Sequence, residues 1–361
     1  MRLILFALLT VIISSSVNAQ KHMPKPLFAD PTYNGSCDPE IVWNEHEQEW
    51  WVFYTGRRPA VKNGIYAGCA IGVAASKDWI NWEFKGYCKV DGVGGIADSP
   101  DTYWAPGIIK EGDTYHMFIT FKKGSPGLWG GRPELMYHLK APANDLLNGW
   151  KTVGGLQTFP TGIDAGICKK DDTYYMYHRD ICKEDSCKGK GINTKYMTSK
   201  NLYKWEKQGW AKGDINNKAV NGYSYQEGQY VFYWKNYFWL LTDPHGPDIA
   251  VYRSDDCENW KYVGGILNVS GEEETDGFEG RHASVAVVGD RAFIFYHVEP
   301  YTEIRKKHKK EKIYDAKDFY AFIQVAELEF KDGNITCDRE KKIVPPKNLK
   351  LKTEYWGQSN N

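Results

Sequence analysis

Three carboxylic acids sit at equivalent-looking points of the chain. Asp38 lies in NGSCDPEIVWN, Asp164 in PTGIDAGICKKDDTYYMY and Glu227 in SYQEGQYVFYWKNYFWLLT, each just ahead of an aromatic-rich run. Two carboxyls suffice for glycoside hydrolysis, one protonating the departing oxygen while the other activates water or attacks the sugar carbon. A third acid nearby holds up the pKa of the proton donor, because like charges in a confined site resist joint ionisation. Acids this far apart in sequence can cooperate only if the fold brings repeated positions to one place.

The chain carries such a repeat. A polar turn followed by an aromatic strand recurs as EHEQEWWVFYTG (45–56), KEGDTYHMFITF (110–121), KKDDTYYMYHRD (169–180), YWKNYFWLLTD (233–243) and VVGDRAFIFYHV (287–298), about sixty residues apart. A second pattern, a polar turn ending in tryptophan, places Trp82, Trp150, Trp205 and Trp260 between these copies. Strand, turn, strand, turn at this period reads as an all-β, five-bladed β-propeller with four antiparallel strands per blade. The run 319–340 reads as two further strands joined by Asp332-Gly333, a hairpin that closes the ring. Innermost strands face the axis, so Asp38, Asp164 and Glu227 are expected to converge there.

The first twenty residues carry Arg2, an apolar run from Leu3 to Ile13 and small residues up to Ala19. They read as a signal peptide over 1–19. Residues 20–361 then form a single propeller domain, a monomer that is secreted or periplasmic, with no membrane insertion. Lysine plus arginine equals aspartate plus glutamate at 46 each, which leaves no net field to recruit nucleic acid. The basic run Arg305–Lys312 reads as a solvated loop. All eight cysteines fall in the mature chain, where an oxidising compartment permits local disulfides, with Cys182 and Cys187 able to close a small loop. Tyr103, Trp104 and Tyr225 are expected to line sugar subsites by stacking on ring faces, and Arg57 to bind substrate hydroxyls or a carboxylate.

The chain resembles glycoside hydrolase family 43. The resemblance rests on Asp38-Pro39, on Trp104-Ala105-Pro106 ahead of GIIKEGDTYHMF, on Ile163-Asp164, on Glu227-Gly228 and on GRHASVAVVGDRAFIFYH (280–297), five motifs in order. It implies Asp38 as general base, Asp164 as pKa modulator and Glu227 as general acid in an inverting displacement on a carbohydrate substrate. The default is an α-L-arabinofuranoside or β-D-xyloside of plant or algal polysaccharide. It also implies a structural calcium in the central channel, mostly hydrated, with His282 beside it. The chain departs from the family pattern at Gln229, where proline is usual, and at Arg281 before His282. Alternatives are a non-catalytic carbohydrate-binding propeller, a related glycosidase acting on marine galactan, and a β-fructosidase, whose Arg-Asp-Pro motif is missing because Arg179-Asp180 is followed by isoleucine. Asp98, Asp101, Glu279, Asp243 and His245 are the nearby substitutes for a shifted acid.

Overall fold

The computed structural model describes residues 21–61, 65–94, 101–124, 135–155, 162–180 and 194–350. The segment 1–19, Asp98, Cys182 and Cys187 lie outside them. Polar turns and alternating aromatic runs produce five four-stranded antiparallel blades, the fourth extended at its edge by the parallel two-residue strand Lys212–Gly213. Blade I comprises Ser36–Asn44, Glu49–Gly56, Ala70–Ser76 and Glu83–Tyr87; blade II comprises Thr102–Glu111, Thr114–Lys122, Leu135–Pro142 and Lys151–Gly155. Blade III comprises Ile163–Lys170, Thr173–Arg179, Thr194–Ser199 and Trp205–Trp210; blade IV comprises Glu227–Trp234, Tyr237–Asp243, Ile249–Ser254 and Asn259–Ile266. Blade V comprises Gly280–Val288, Arg291–Val298, Phe322–Lys331 and Asn334–Cys337. The first strand of each blade touches the first strands of both neighbours, including blade V against blade I, so the ring is closed.

The repeated tryptophans are pins between blades. Trp150 meets Phe53 of blade I edge-on at 6.1 Å, Trp205 meets Phe118 of blade II at 5.5 Å and Trp260 meets Tyr177 of blade III at 5.3 Å. Trp82 completes the circle against Phe295 of blade V at 6.4 Å. Each pin is T-shaped, the arrangement the ring quadrupoles favour. The turns that carry three of the pins are locked by a serine two residues before an aspartate or asparagine. Asp78 accepts from the N–H groups of Ile80 and Asn81, Asn201 from Tyr203 and Lys204, and Asp256 from Glu258 and Asn259. Blade V has no such tryptophan; Phe330 takes its place, 6.1 Å from Trp234 and 6.2 Å from Trp239 of blade IV.

Three expectations change. The hairpin in 319–340 forms the outer half of blade V, and the seam with the start of the chain is made by the segment before blade I. Leu27 and Phe28 donate to the Ile323 carbonyl at 2.9 and 3.2 Å, and the Ile323 N–H donates back to Phe28 at 2.9 Å. The basic run is a helix, Thr302–Glu311, rather than a loop. It has no apolar stripe to betray it and is held by polar contacts: Lys306 pairs with Glu303 one turn back at 2.7 Å, Arg305 pairs with Glu299, and His308 meets Asp318 at 2.7 Å. The six described cysteines are free thiols. Cys168 and Cys257 lie 3.8 Å apart between sulfurs, well beyond the ~2.05 Å of a disulfide.

Candidate active site

Each blade's first strand breaks register with its second strand at one place near the axis. The breaks fall between Cys37 and Glu40, Trp104 and Gly107, Ile163 and Gly166, Glu227 and Tyr230, and Arg281 and Ser284. Within each break one residue is left-handed: Asp38 (φ 50°), Ala105 (45°), Asp164 (59°), Gly228 (60°) and His282 (39°). Such a bulge re-aims the chain and turns a side chain out of the sheet. Here it turns five equivalent positions towards the axis, and Glu227 precedes the fourth. Only blade IV needs glycine at this point. A Cβ on Gly228 would meet the His282 Cγ at 3.0 Å.

The bulges are fixed by the preceding blade. The Asp38 N–H donates to His297 Nδ1 (3.0 Å), the Ala105 N–H to Thr55 Oγ1 (2.9 Å) and the Asp164 N–H to Thr120 Oγ1 (3.3 Å). The Gly228 N–H donates instead to Asp164 Oδ2, at 3.1 Å. Four left-handed residues are thereby tied blade to blade, which offsets a backbone cost of about 1–2 kcal/mol at each non-glycine.

The acids gather around His282. Its Nδ1 lies 3.2 Å from Asp38 Oδ1, and its Nε2 lies 3.3 Å from Glu227 Oε1 and 3.9 Å from Asp164 Oδ2. An imidazole ring thus stands between Asp38 and Glu227. Burial works against the charged form of His282, but Asp38, Glu227 and Asp164 outweigh it and raise its pKa well above the ordinary value. Burial alone would raise Asp38; His282, His297 and Arg57 outweigh it and hold that carboxyl low. Asp164 goes the other way, to about 6, because burial and the charges of Glu227 and Asp38 exceed the help from His282. Burial also opposes ionisation of Glu227, yet hydrogen bonds from His245 and His282 hold it well below the ordinary range. Tyr225 donates its hydroxyl to Glu227 Oε2, and His245 shares a hydrogen bond with Glu227 Oε1. The set therefore holds one ionised acid on each side of a charged imidazole, with a third carboxyl poised near neutrality.

A cavity of about 320 Å³ opens over these groups. Trp104, Tyr225 and Arg57 line it, as do Thr55, Tyr66, Lys122, Arg179 and His245. Trp104 is anchored by its indole N–H, which donates to the Tyr66 carbonyl at 3.1 Å. Tyr103 does not line the cavity. Neighbours on a strand point to opposite faces, and Tyr103 packs 5.3 Å from Phe121 in the core between blades I and II. Arg57 is half-buried and paired with Glu299 at 2.9 Å, so it is committed within the protein while also lining the cavity. Among the substitutes for a shifted acid, Asp101 accepts from the Gly124 N–H and Glu279 from Arg281, whereas Asp243 and His245 belong to the cluster.

The donor atoms of Asp164, Glu227 and His282 lie within 4.8 Å of one another, close enough to meet one cation. Calcium, however, takes six to eight oxygens. The imidazole here turns both nitrogens to carboxylates. A second cavity, of only about 30 Å³, is lined by Asp38, Asp164, His282 and Glu40, whose carboxyl burial pushes well above the ordinary range despite the Ile108 N–H it accepts. That space is about the volume of one water, too small for a hydrated calcium. The residues as arranged do not fit the expected calcium, and His282 supplies the central positive charge.

The chain matches the model of the glycosyl hydrolases family 43 over residues 67–299. It belongs to glycosyl hydrolase family 43. This family 43 chain is a glycosidase with the fold of that family's solved enzymes. A thermostable family-43 glycoside hydrolase is 18% identical with a TM-score of 0.61, covering 89% of this chain and 100% of its own. A GH43 β-xylosidase/α-arabinofuranosidase from a compost microbial metagenome, solved with xylotriose in a calcium-free form, is 15% identical with a TM-score of 0.62, covering 90% and 99%. An α-L-arabinofuranosidase from Lactobacillus brevis is 17% identical with a TM-score of 0.57, covering 88% and 97%. No curated protein sequence matches. No helix among the described residues is long and apolar enough to cross a membrane.

Sequence reasoning missed Thr55, Thr120, Lys122, Arg179 and His297 as site residues. Four of them share one register position. Thr55, Thr120, Arg179, Asp243 and His297 pair with Cys37, Trp104, Ile163, Glu227 and Arg281, so the site uses the last residues of the repeated aromatic strands as well as the first strands. In the five copies that position is the penultimate residue of four and the last residue of the fourth.

Proposed function

We propose that this family 43 glycosidase hydrolyses its carbohydrate substrate by a single inverting displacement, with Asp38 as general base and Glu227 as general acid. The observation that supports this reading most directly is that Asp38 and Glu227 contact different nitrogens of His282, so that the imidazole separates them. An inverting pair stands roughly 6.5–9.5 Å apart to admit a water, whereas a retaining pair closes to about 5–5.5 Å. Asp38, held ionised, takes a proton from the attacking water. Glu227 delivers a proton to the departing oxygen. Glu227 is hydrogen-bonded to His245, whose side chain is 44% exposed, so the acid is linked to solvent, from which its proton is replaced. Asp164 orients the site through the Gly228 N–H, and its charge on ionising raises the proton affinity of its neighbours.

The default substrate is an α-L-arabinofuranoside or β-D-xyloside, the activities that the similar enzymes bear in name. Trp104 and Tyr225 offer the ring faces on which the sugar stacks. We further infer that the enzyme is exported by its first nineteen residues and works as a monomer. Proton NMR of the first-formed sugar tests the mechanism: the anomeric configuration is expected to be opposite to that of the bond cleaved, and retention overturns the reading.

A further inference from the structure

Arg179 stands where blade III departs from its neighbours. In blades I, II and V the residue at this register position, Thr55, Thr120 or His297, caps the left-handed N–H of the next blade. In blade III the next cap is made by Asp164 itself. Arg179 is thereby released from structural duty, and it lines the cavity. Its guanidinium lies over the Tyr225 ring at 4.6 Å, and the hydroxyl of that same ring is bonded to Glu227. Arg179 makes no ion pair with any described residue, and its Nε is buried without a hydrogen-bond partner. Arg57 contrasts with it, being already matched to Glu299 at 2.9 Å. On the adjoining wall, Lys122 at the end of the corresponding strand of blade II rests 3.9 Å over Trp104.

A guanidinium that lines a partly enclosed cavity without a carboxylate partner is costly until an anion arrives. Its planar fork matches two oxygens of a carboxylate or sulfate. A neutral pentose offers only hydroxyls, which bond a guanidinium more weakly than an anion does. We propose that the sugar bound in this cavity carries an anionic substituent, a ring carboxylate or a sulfate ester, seated on Arg179 with Lys122 beside it. The inference rests on the glycosidase site described above and names its substrate class: an acidic oligosaccharide, with the acidic group on the Glu227 side of the cavity.

Calorimetric titration of the full chain carrying Asp38→Asn tests this with three probes: xylotriose, a glucuronate-bearing xylotriose and a sulfated galactotriose. At least one anionic probe is expected to bind tenfold or more tightly than xylotriose, with a gap that narrows as sodium chloride is raised. Preference for the glucuronate probe assigns a carboxylate, and preference for the other assigns a sulfate. Adding Arg179→Gln is expected to abolish the preference and Arg179→Lys to restore part of it. Xylotriose binding as tightly as both anionic probes, no binding of any probe, or a preference that survives Arg179→Gln each overturns the inference. Turnover by the unmodified enzyme on aryl xylosides, arabinofuranosides and glucuronides is measured separately. Release of aglycone from none of them removes the proposed mechanism, whatever the titrations show.

Discussion

The outer and inner rims of this propeller are built by opposite rules. At the outer rim the same residue type recurs: Trp82, Trp150, Trp205 and Trp260 each dock edge-on against an aromatic of the preceding blade. At the inner rim the same backbone recurs, a bulge with one left-handed residue, but the side chain differs in every blade: Asp38, Ala105, Asp164, Gly228 and His282. Identity is conserved across blades where packing alone is needed. It diverges where five equivalent positions must supply different chemistry to one point. Blade III shows the same divergence one strand further out, where Arg179 replaces a capping side chain and faces the cavity instead.

The largest effects are expected from making inner-rim side chains neutral. Asp38→Asn and Glu227→Gln should each lower kcat by roughly 10²–10⁴-fold, with the midpoint of thermal unfolding little changed, as befits groups acting in the transition state. Near-normal kcat in either variant, measured on the best aryl glycoside, removes that residue from the mechanism.

At the outer rim the expected loss is of stability. Trp150, which is fully buried, should cost about 3–5 kcal/mol on replacement by alanine, read from urea unfolding, with kcat per folded molecule preserved. If Trp150→Ala instead reduced kcat at unchanged stability, the division between the two rims would fail.

Gly228→Ala probes the place where both rules meet. The left-handed backbone alone costs about 1–2 kcal/mol, and the new methyl presses on the His282 ring, so a modest loss of stability should accompany a larger loss of kcat. Equal scaling of the two losses would show that the glycine serves the fold only.

Acidity sharpens the contrast further. Asp164 has a folded-state pKa of about 6, above its ordinary 3.8. Its penalty is therefore absent below the unfolded value, grows between the two, and is full above about 6. Asp164→Asn should accordingly raise the unfolding midpoint relative to the parent more at pH 7.5 than at pH 3.5. An equal difference at both values would contradict the raised pKa. For Asp38 the sign is reversed: its depressed pKa contributes stability that is full above 3.8 and is lost as pH falls through the lower folded value. The smallest effect of all is expected from chelation. Dialysis against EDTA should leave kcat and the unfolding midpoint unchanged, because the donors around His282 do not fit a calcium.

The blade count was legible in the sequence, since periodic turns and alternating aromatics are local signals that each strand carries alone. The sequence also pointed to Asp38, Asp164, Glu227 and His282 near the starts of their blades, although the register puts Gly228, and not Glu227, at the bulge position that Asp38, Asp164 and His282 occupy. Three matters were decided only by the tertiary structure. Tyr103 turned into the core while Trp104 faced the cavity, a choice set by the pleat and not by residue type. The basic run became a helix held by Glu299, Asp318 and its own Glu303, partners that no helical periodicity announces. The role of Arg179 emerged because Asp164 caps Gly228 across the blade boundary, an exchange between residues 64 positions apart that no single copy of the repeat records.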